Sequence, residues 1–298
     1  MSAVQAPTNQ TIIDRDMMVR RRVRQRGRQP DDAVRFLHDV SAGELADRLD
    51  VTVREFAHTL LVDDAYGAMR DRIRPLANVR GVVASAPHPQ LLPAETSVVV
   101  ADDEALPFAE GSLDLVLSNL SLHLTNDTPG ALIQIRRALR PDGLFSAALL
   151  GGDTLSELRQ SLLAAEAEIT GGVSPRVVPF PDIRDLGALL QRAGFALPVT
   201  DTDRLTVRYD TMFDLMRDLR RMGLSNSLAQ RSRRPATRGL FVRAAEIYAD
   251  RFSDGDGRIR ATFDFIYLSG WTPHESQQKP ARRGSAEISL KDVLGRKS

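Results

Sequence analysis

Cysteine is absent from the 298-residue chain. Its absence excludes disulfides, thiolate metal sites and cysteine nucleophiles. A chain without cysteine fits a reducing compartment, and we expect this one to be cytoplasmic. Long apolar segments are missing as well. Because there is no run of about 18 apolar residues, we expect no membrane span.

A strong overall charge is also lacking, since the net charge is +1 at pH 7. The chain therefore has no general attraction to nucleic acid or membranes. Residues 20–28 nevertheless hold six arginines, and Asp14 and Asp16 precede this run. A targeting peptide would be poor in acids. A solvated arm or helix is favoured, with nucleic acid or an acidic partner as the alternative. The interleaved aromatic residues of a nucleic-acid stacking surface are missing.

Short, continuous apolar runs alternate with helical patterns along the chain. Five runs predict strands at residues 59–62, 79–84, 97–101, 113–118 and 144–150. Two later runs predict a strand at 205–209 and an antiparallel closing strand at 261–269. Helices are predicted at residues 35–54, 128–139, 155–169, 183–193, 211–222 and 236–249. This alternation, with strands apolar on both faces, predicts an α/β fold with a doubly wound, mostly parallel sheet.

The domain organisation follows from shifts in composition. We predict a basic N-terminal arm over residues 1–34 and one main domain over 35–276. Within that domain, a helical insertion is expected at about 205–255. The charged residues 277–298 are predicted to form a flexible tail.

Two acids follow the third predicted strand directly. Asp102 and Asp103 would lie at the carboxyl end of a parallel strand, where ligands bind in such sheets. A carboxylate there can accept a hydrogen bond from an adenine amino group. A turn or helix-capping aspartate fits the same position, and both interpretations remain open.

Motifs for other catalytic classes are missing. The five histidines show no metal-binding spacing, and neither a G-x-S-x-G elbow nor a phosphate-binding loop is present. His123 follows the fourth predicted strand. It can line a pocket there or serve as a hydrogen-bonded structural histidine.

Residues 101–145, ADDEALPFAEGSLDLVLSNLSLHLTNDTPGALIQIRRALRPDGLF, resemble the second half of a type 11, class I S-adenosylmethionine (SAM) methyltransferase domain. Residues 151–159, 192–195, 201–203 and 270–277 resemble one family within that group. This family contains a mitochondrial complex I assembly factor described as an arginine hydroxylase, together with bacterial relatives described as methyltransferases. The resemblance spans about residues 12–290.

The resemblance implies a Rossmann-like class I methyltransferase fold, with about seven mostly parallel strands and helices on both faces. It implies SAM as the cofactor, and a complex I subunit or another protein substrate as the partner. The implied cofactor-binding residues are Gly67, Asp102, Asp103, Ser118 and Asn119. It assigns no catalytic residue. Arginine hydroxylation is allowed by the family, although no iron-ligand motif supports it in this sequence.

The match fails at the glycine-rich cofactor loop. The family form is D-L-G-C-G-x-G, in which the glycines let the backbone approach the cofactor. The aligned stretch here reads LVDDAYG, with Leu61 at the acidic position and Asp63 and Ala65 at two glycine positions. Only Gly67 remains, and residues 82–86 lack the acid expected to hold the ribose. We hypothesise that SAM binds weakly, in an altered pose or not at all.

Two segments outside the predicted sheet also resemble family signatures, at residues 223–226 and 270–277. One interpretation is a lid or a protein-substrate surface over the pocket. The other is ordinary packing of Trp271 and capping by Ser225 or Asn226. Leu224 stands where the family has an acid, so any role of that acid is in doubt here.

Two functions from different classes follow. The first is a SAM-dependent methyltransferase-family protein that acts in respiratory complex I assembly. The alternative is a non-catalytic assembly or scaffold protein that kept the fold and lost cofactor binding. A nucleic-acid modifier docked by the arginine-rich segment ranks third, and a steep salt dependence of RNA binding would be its signature.

Overall fold

The computed structural model describes residues 11–278, except 27–31, 65 and 94–96. Ala65 of the cofactor loop and most of the predicted tail therefore lie outside the described residues. The strands are β1 Thr59–Val62, β2 Val82–Ala86, β3 Ser97–Val100, β4 Leu113–Asn119, β5 Leu139–Leu150, β6 Ala196–Tyr209 and β7 Ile259–Trp271. The α-helices are α1 Arg15–Arg26, α2 Asp32–Asp50, α3 Ala68–Ile73, α4 Thr128–Ala138, α5 Ser156–Thr170, α6 Ile183–Ala193, α7 Met212–Arg221 and α8 Arg238–Phe252.

These strands form one seven-stranded sheet in the order β3-β2-β1-β4-β5-β7-β6. The strands from β3 to β5 pair in parallel, and β7 is antiparallel to both of its neighbours. The predicted doubly wound α/β fold, with an antiparallel closing strand, is confirmed. Because the order reverses beside β1, the carboxyl ends of β1 and β4 flank the switch point where such sheets bind ligands.

Each face of the sheet carries its own hydrophobic core. In β5, Phe145, Ala147 and Leu149 lie in the cluster that includes α4 and α6. The alternate residues of the strand, such as Ala148 and Leu150, lie in the cluster that includes α2, α3, α5, α7 and α8. The continuous apolar run of β5 is therefore buried on both faces, as its pattern predicts.

The predicted third strand differs from expectation in its surroundings. It forms as β3, but it stands at the edge of the sheet, where Val98 and Val100 are 43% and 50% exposed. Its β-branched residues favour a strand whatever lies beside it. The sequence pattern reports this local preference, whereas the lack of a neighbouring strand is set by the topology.

The last three strands are longer than their patterns predict. β6 begins at Ala196 rather than near residue 205, and β5 begins at Leu139 and runs through the predicted Pro-Asp-Gly turn. A register shift between Leu113 and Leu115, together with Asp142 at φ +62°, accommodates that turn inside the strand pairing. Within the described residues, no helix combines the length and apolarity needed to cross a membrane.

Candidate functional site

The candidate cofactor site lies at the carboxyl ends of the parallel strands. The loop from β1 to α3 forms its floor, and Asp63 is the first residue after β1. Asp63 adopts a left-handed backbone conformation with φ +52°. This conformation favours glycine and is tolerated by aspartate and asparagine. The aspartate therefore keeps a backbone conformation that suits glycine, while adding a carboxylate.

The Asp63 carboxylate is buried in a two-point ion pair with Arg22 of α1. Arg22 Nη1 lies 2.5 Å from Asp63 Oδ2, and Nη2 lies 2.9 Å from Oδ1. The two side chains are only 7% and 4% exposed. Burial alone would lower the pKa of Arg22, but the charge of Asp63, its hydrogen bonds to Arg22 and the charges of Tyr66 and Asp103 together raise it. The guanidinium therefore stays charged and matches the carboxylate.

The helix that carries Arg22 is fixed at several points. The Asp14 N–H donates to the Ser227 carbonyl oxygen at 2.8 Å, and the Arg21 side chain donates to the Asn226 carbonyl oxygen. Gly223, at φ +75°, leaves room for Arg22, because a Cβ there would lie 2.6 Å from Arg22 Cγ. Arg22 is therefore held over the loop by the fold. Of the predicted solvated arm or helix, the helix forms as α1, but Arg22 within it is buried rather than solvated.

The polar side chains of Asp64 and Tyr66 in this loop also have hydrogen-bond partners within the chain. The Tyr66 hydroxyl donates to the Met222 carbonyl oxygen at 2.7 Å, and its ring centroid lies 4.6 Å from that of His38. Gly67, at φ +71°, precedes α3, and the Asp64 carboxylate accepts from the Met69 N–H at 3.2 Å. Burial raises the pKa of Asp64 to about 7. Tyr66 thus packs against the protein itself at the place where a cofactor loop would face its ligand.

The two acids after β3 occupy different environments. Asp102 Oδ1 accepts from Arg15 Nη2 at 2.7 Å and from the Glu104 N–H at 2.8 Å. It is therefore a turn residue with an ion pair to α1. Asp103 is buried, and its Oδ1 has no partner among the described residues. Burial, with the Asp63 charge as a further cause, raises the pKa of Asp103 to about 7.

The predicted polar pair at the end of β4 is engaged with neighbouring side chains and backbone. Ser118 Oγ lies 2.8 Å from Ser121 Oγ. Asn119 Oδ1 accepts from Ser41 Oγ at 2.6 Å, and its Nδ2 donates to the His38 carbonyl oxygen at 3.0 Å. Both side chains are buried, so they join β4 to its own turn and to α2.

The end of β2 offers no carboxylate, as the sequence indicates. Ser85 takes that place, and its Oγ accepts from the Asp63 N–H at 3.3 Å and donates to the Leu61 carbonyl oxygen at 3.2 Å. A ribose at this position would therefore find no acid on β2. In the part of the chain that the structure describes, no group of three histidine, cysteine or acidic residues is placed to hold a metal ion.

Trp271 does not lie over this site. Because β7 is antiparallel to β5, its last residue Trp271 pairs with Leu144, near the amino end of the parallel strands. Trp271 lines a groove there with Arg48 and Tyr267. His274 is exposed beyond the strand. The interpretation of residues 270–277 as a lid over the pocket is therefore wrong.

Arg15 and Arg22, which form the ion pairs with Asp102 and Asp63, could not be singled out from the sequence. The run of arginines gave no reason to single out one residue. Asp63 could have indicated such a partner, because a buried carboxylate at a position where the family has glycine needs a cation nearby.

Replacing His123 by phenylalanine is expected to weaken the acid dependence of stability. Burial, helped by the Arg22 charge, lowers the pKa of His123 from 6.5 to about 3. Between these values the unfolded chain binds a proton that the folded chain does not, so stability falls as the pH falls. Near pH 5, the unfolding free energy of the variant should lose about 1.4 kcal/mol less per pH unit than that of the wild type.

Urea unfolding at several pH values between 4.5 and 6.5 measures this difference. The exposed His274, changed to phenylalanine, is the matched control and should keep the wild-type slope. Equal slopes for the His123 variant and the wild type would contradict a buried, neutral His123.

Comparison with known proteins agrees with the fold and with the resemblance. A family model described as a methyltransferase domain matches residues 42–147. The mitochondrial arginine-hydroxylase NDUFAF5 of Homo sapiens is 40% identical over 294 residues, covering 97% of this chain and 85% of that protein. The NDUFAF5 of Danio rerio is 48% identical over 195 residues, covering 65% of this chain and 60% of that protein. The YcgJ protein from Bacillus subtilis shares the fold, with a TM-score of 0.54 at 14% identity over 78% of this chain and 98% of that chain. This chain is therefore a member of the NDUFAF5 family, built on a methyltransferase domain.

Proposed function

We propose that this chain acts in the assembly of respiratory complex I by binding a protein partner, without transferring a methyl group from SAM. The observation that carries the proposal is the buried Arg22–Asp63 ion pair in the cofactor loop. SAM would have to approach the loop backbone at the place that these two side chains fill.

The energetic barrier to SAM follows from the burial of the pair. Separating a buried ion pair so that one charge is left without its partner costs about 3–5 kcal/mol. That cost corresponds to a loss of about two to four orders of magnitude in affinity. The missing acids at Leu61 and at the end of β2 remove further contacts to the cofactor. The residues present do not fit SAM.

Sequence similarity to human NDUFAF5 outside the matched methyltransferase domain supports a role that uses the whole chain. The similarity to human NDUFAF5 extends over 97% of this chain, far beyond the matched methyltransferase domain at residues 42–147. The family resemblance supplies the process, complex I assembly, and the partner class, a complex I subunit. Arginine hydroxylation belongs to the names of the relatives and is not proposed for this chain.

Complementation of a strain that lacks the gene for this chain tests the proposal. The strain would express the wild-type chain or a variant with Asp102→Asn and Asp103→Asn, which lacks both acids that the resemblance assigns to the cofactor. Assembled complex I would be measured on native gels. We expect loss of complex I without the chain and full recovery with either version.

Two results would contradict the proposal. A normal amount of assembled complex I in the deletion strain would show that the chain is not needed for assembly. Failure of the double variant to restore complex I, despite a wild-type unfolding midpoint, would show that the cofactor acids are needed and would favour the enzyme.

A further inference from the structure

An apolar cleft lies beside the closed cofactor loop. It opens near the carboxyl end of β5, and its empty volume is about 650 Å³ when the open solvent at its mouth is included. Hydrocarbon side chains form most of its walls, among them Met18, Leu150, Leu158, Leu219 and Phe263. A concave, apolar site at this end of a parallel sheet is where such folds bind small molecules.

The cleft is unsuited to a cationic ligand. No acidic side chain is present among the described residues that line it. Arg176 is the cation in the wall, and it is matched by Glu166, with Nη2 lying 2.8 Å from Oε1 and Nε lying 3.2 Å from Oε2. A cation that entered would lose water without gaining a counter-charge, which is unfavourable. The lining therefore favours an uncharged ligand.

One polar group in this wall lacks a partner. His123 is 7% exposed and lines both this cleft and a second one beside Phe180, Leu186 and Leu189. Its Nδ1 accepts from the Leu150 N–H at 3.5 Å, so Nε2 carries the proton of the neutral ring. Nε2 has no acceptor among the described residues. A buried N–H donor without an acceptor is unfavourable until an acceptor is supplied.

The backbone of the wall is strained at Leu155. This residue has φ +54°, a conformation that side chains other than those of glycine, asparagine and aspartate rarely adopt. Leu155 lines the cleft just before α5. Strain of this kind is concentrated at functional sites. It is a second observation, independent of His123, that points to this cleft.

We propose that the cleft binds an uncharged, largely hydrocarbon molecule with a carbonyl oxygen that accepts a hydrogen bond from His123 Nε2. The hydrocarbon part lies against the leucines and Phe263. This site is separate from the cofactor loop. Ligand binding in the cleft therefore does not depend on whether the loop binds SAM.

Titration with 2-nonanone, an uncharged ketone of medium chain length, tests the site. NMR spectra of the protein labelled with nitrogen-15 in histidine report on the His123 Nε2–H, which is assigned by its loss in the His123→Phe variant. We expect saturable binding and a shift of this signal. The His123→Phe variant should bind the ketone about fivefold more weakly, the size of one neutral hydrogen bond.

Two matched comparisons make the test specific. Nonylguanidinium has the same chain length and a positive charge. Its affinity should be lower than that of the ketone by roughly tenfold or more, because the cleft offers no acid. The His274→Phe variant changes an exposed histidine and should bind the ketone as the wild type does. A Leu224→Trp variant fills the cleft and should abolish ketone binding.

Three outcomes would overturn the proposal. The first is that the ketone shows no saturable binding. The second is that nonylguanidinium and the ketone bind equally well, and the third is that a folded His123→Phe variant keeps the wild-type affinity for the ketone. None of them bears on SAM, so failure of this proposal and failure of the proposed function are distinguishable.

Discussion

Replacing Arg22 by methionine is expected to lower the free energy of unfolding by about 3–5 kcal/mol, because Asp63 would keep a buried carboxylate without its cation. Methionine retains much of the hydrocarbon stem that packs beside Gly223, so the loss reports mainly on the charge. Urea unfolding followed by circular dichroism, with a fitted slope for each variant, measures the change.

A second variant separates the ion pair from packing. Changing Arg22→Met and Asp63→Asn together removes both charges, and asparagine tolerates the left-handed backbone at position 63. We expect this double variant to regain most of the lost stability, because no charge remains buried alone.

The matched surface control is Arg243→Met. Arg243 pairs with Glu168 at 2.6 Å, but both side chains are well exposed, so its loss should change stability far less. An Arg22 variant that is no less stable than the Arg243 variant would show that the Arg22–Asp63 pair is not buried as described.

Opening the cofactor loop is expected to raise the affinity for S-adenosylhomocysteine by about two orders of magnitude or more. The opened variant carries Arg22→Ala and Asp63→Gly. It removes both charges at once, so neither is left unpaired. Glycine adopts φ +52° readily and lets the cofactor approach the backbone. Isothermal titration calorimetry compares this variant with the wild type.

The variant with Arg22→Ala and Asp63→Ala is the control for the opened loop. It removes the same charges but keeps a Cβ where the family has glycine, so its gain in affinity should be smaller. If the opened variant binds no better than the wild type, the ion pair is not what excludes the cofactor. Leu61 and the missing acid on β2 would then be sufficient causes.

Much of the fold could be predicted because the decisive signals are local. The continuous apolar run at residues 144–150 predicts a strand buried on both faces, and β5 is one. The alternating run at residues 261–269 predicts an antiparallel strand, and β7 is one. The exposure of Val98 depends on which strand lies next to β3, and that is decided by the assembled sheet.

The candidate site could be predicted only in part. Asp63 is visible in the sequence as a residue that does not fit the family loop, but its partner Arg22 lies 41 residues earlier. Several arginines precede the loop, and only the path of α1 past Gly223 decides which of them reaches the carboxylate. Ion pairs between distant segments leave no periodic pattern, so this feature becomes visible only in three dimensions.

The most direct measurement is calorimetric titration of the wild-type chain with S-adenosylhomocysteine. Because the Arg22–Asp63 pair fills the cofactor loop, we expect no binding heat and no thermal stabilisation at millimolar ligand. Binding in the micromolar range would contradict the central claim. It would mean that α1 leaves the loop at little cost and that the chain retains the cofactor of its methyltransferase domain.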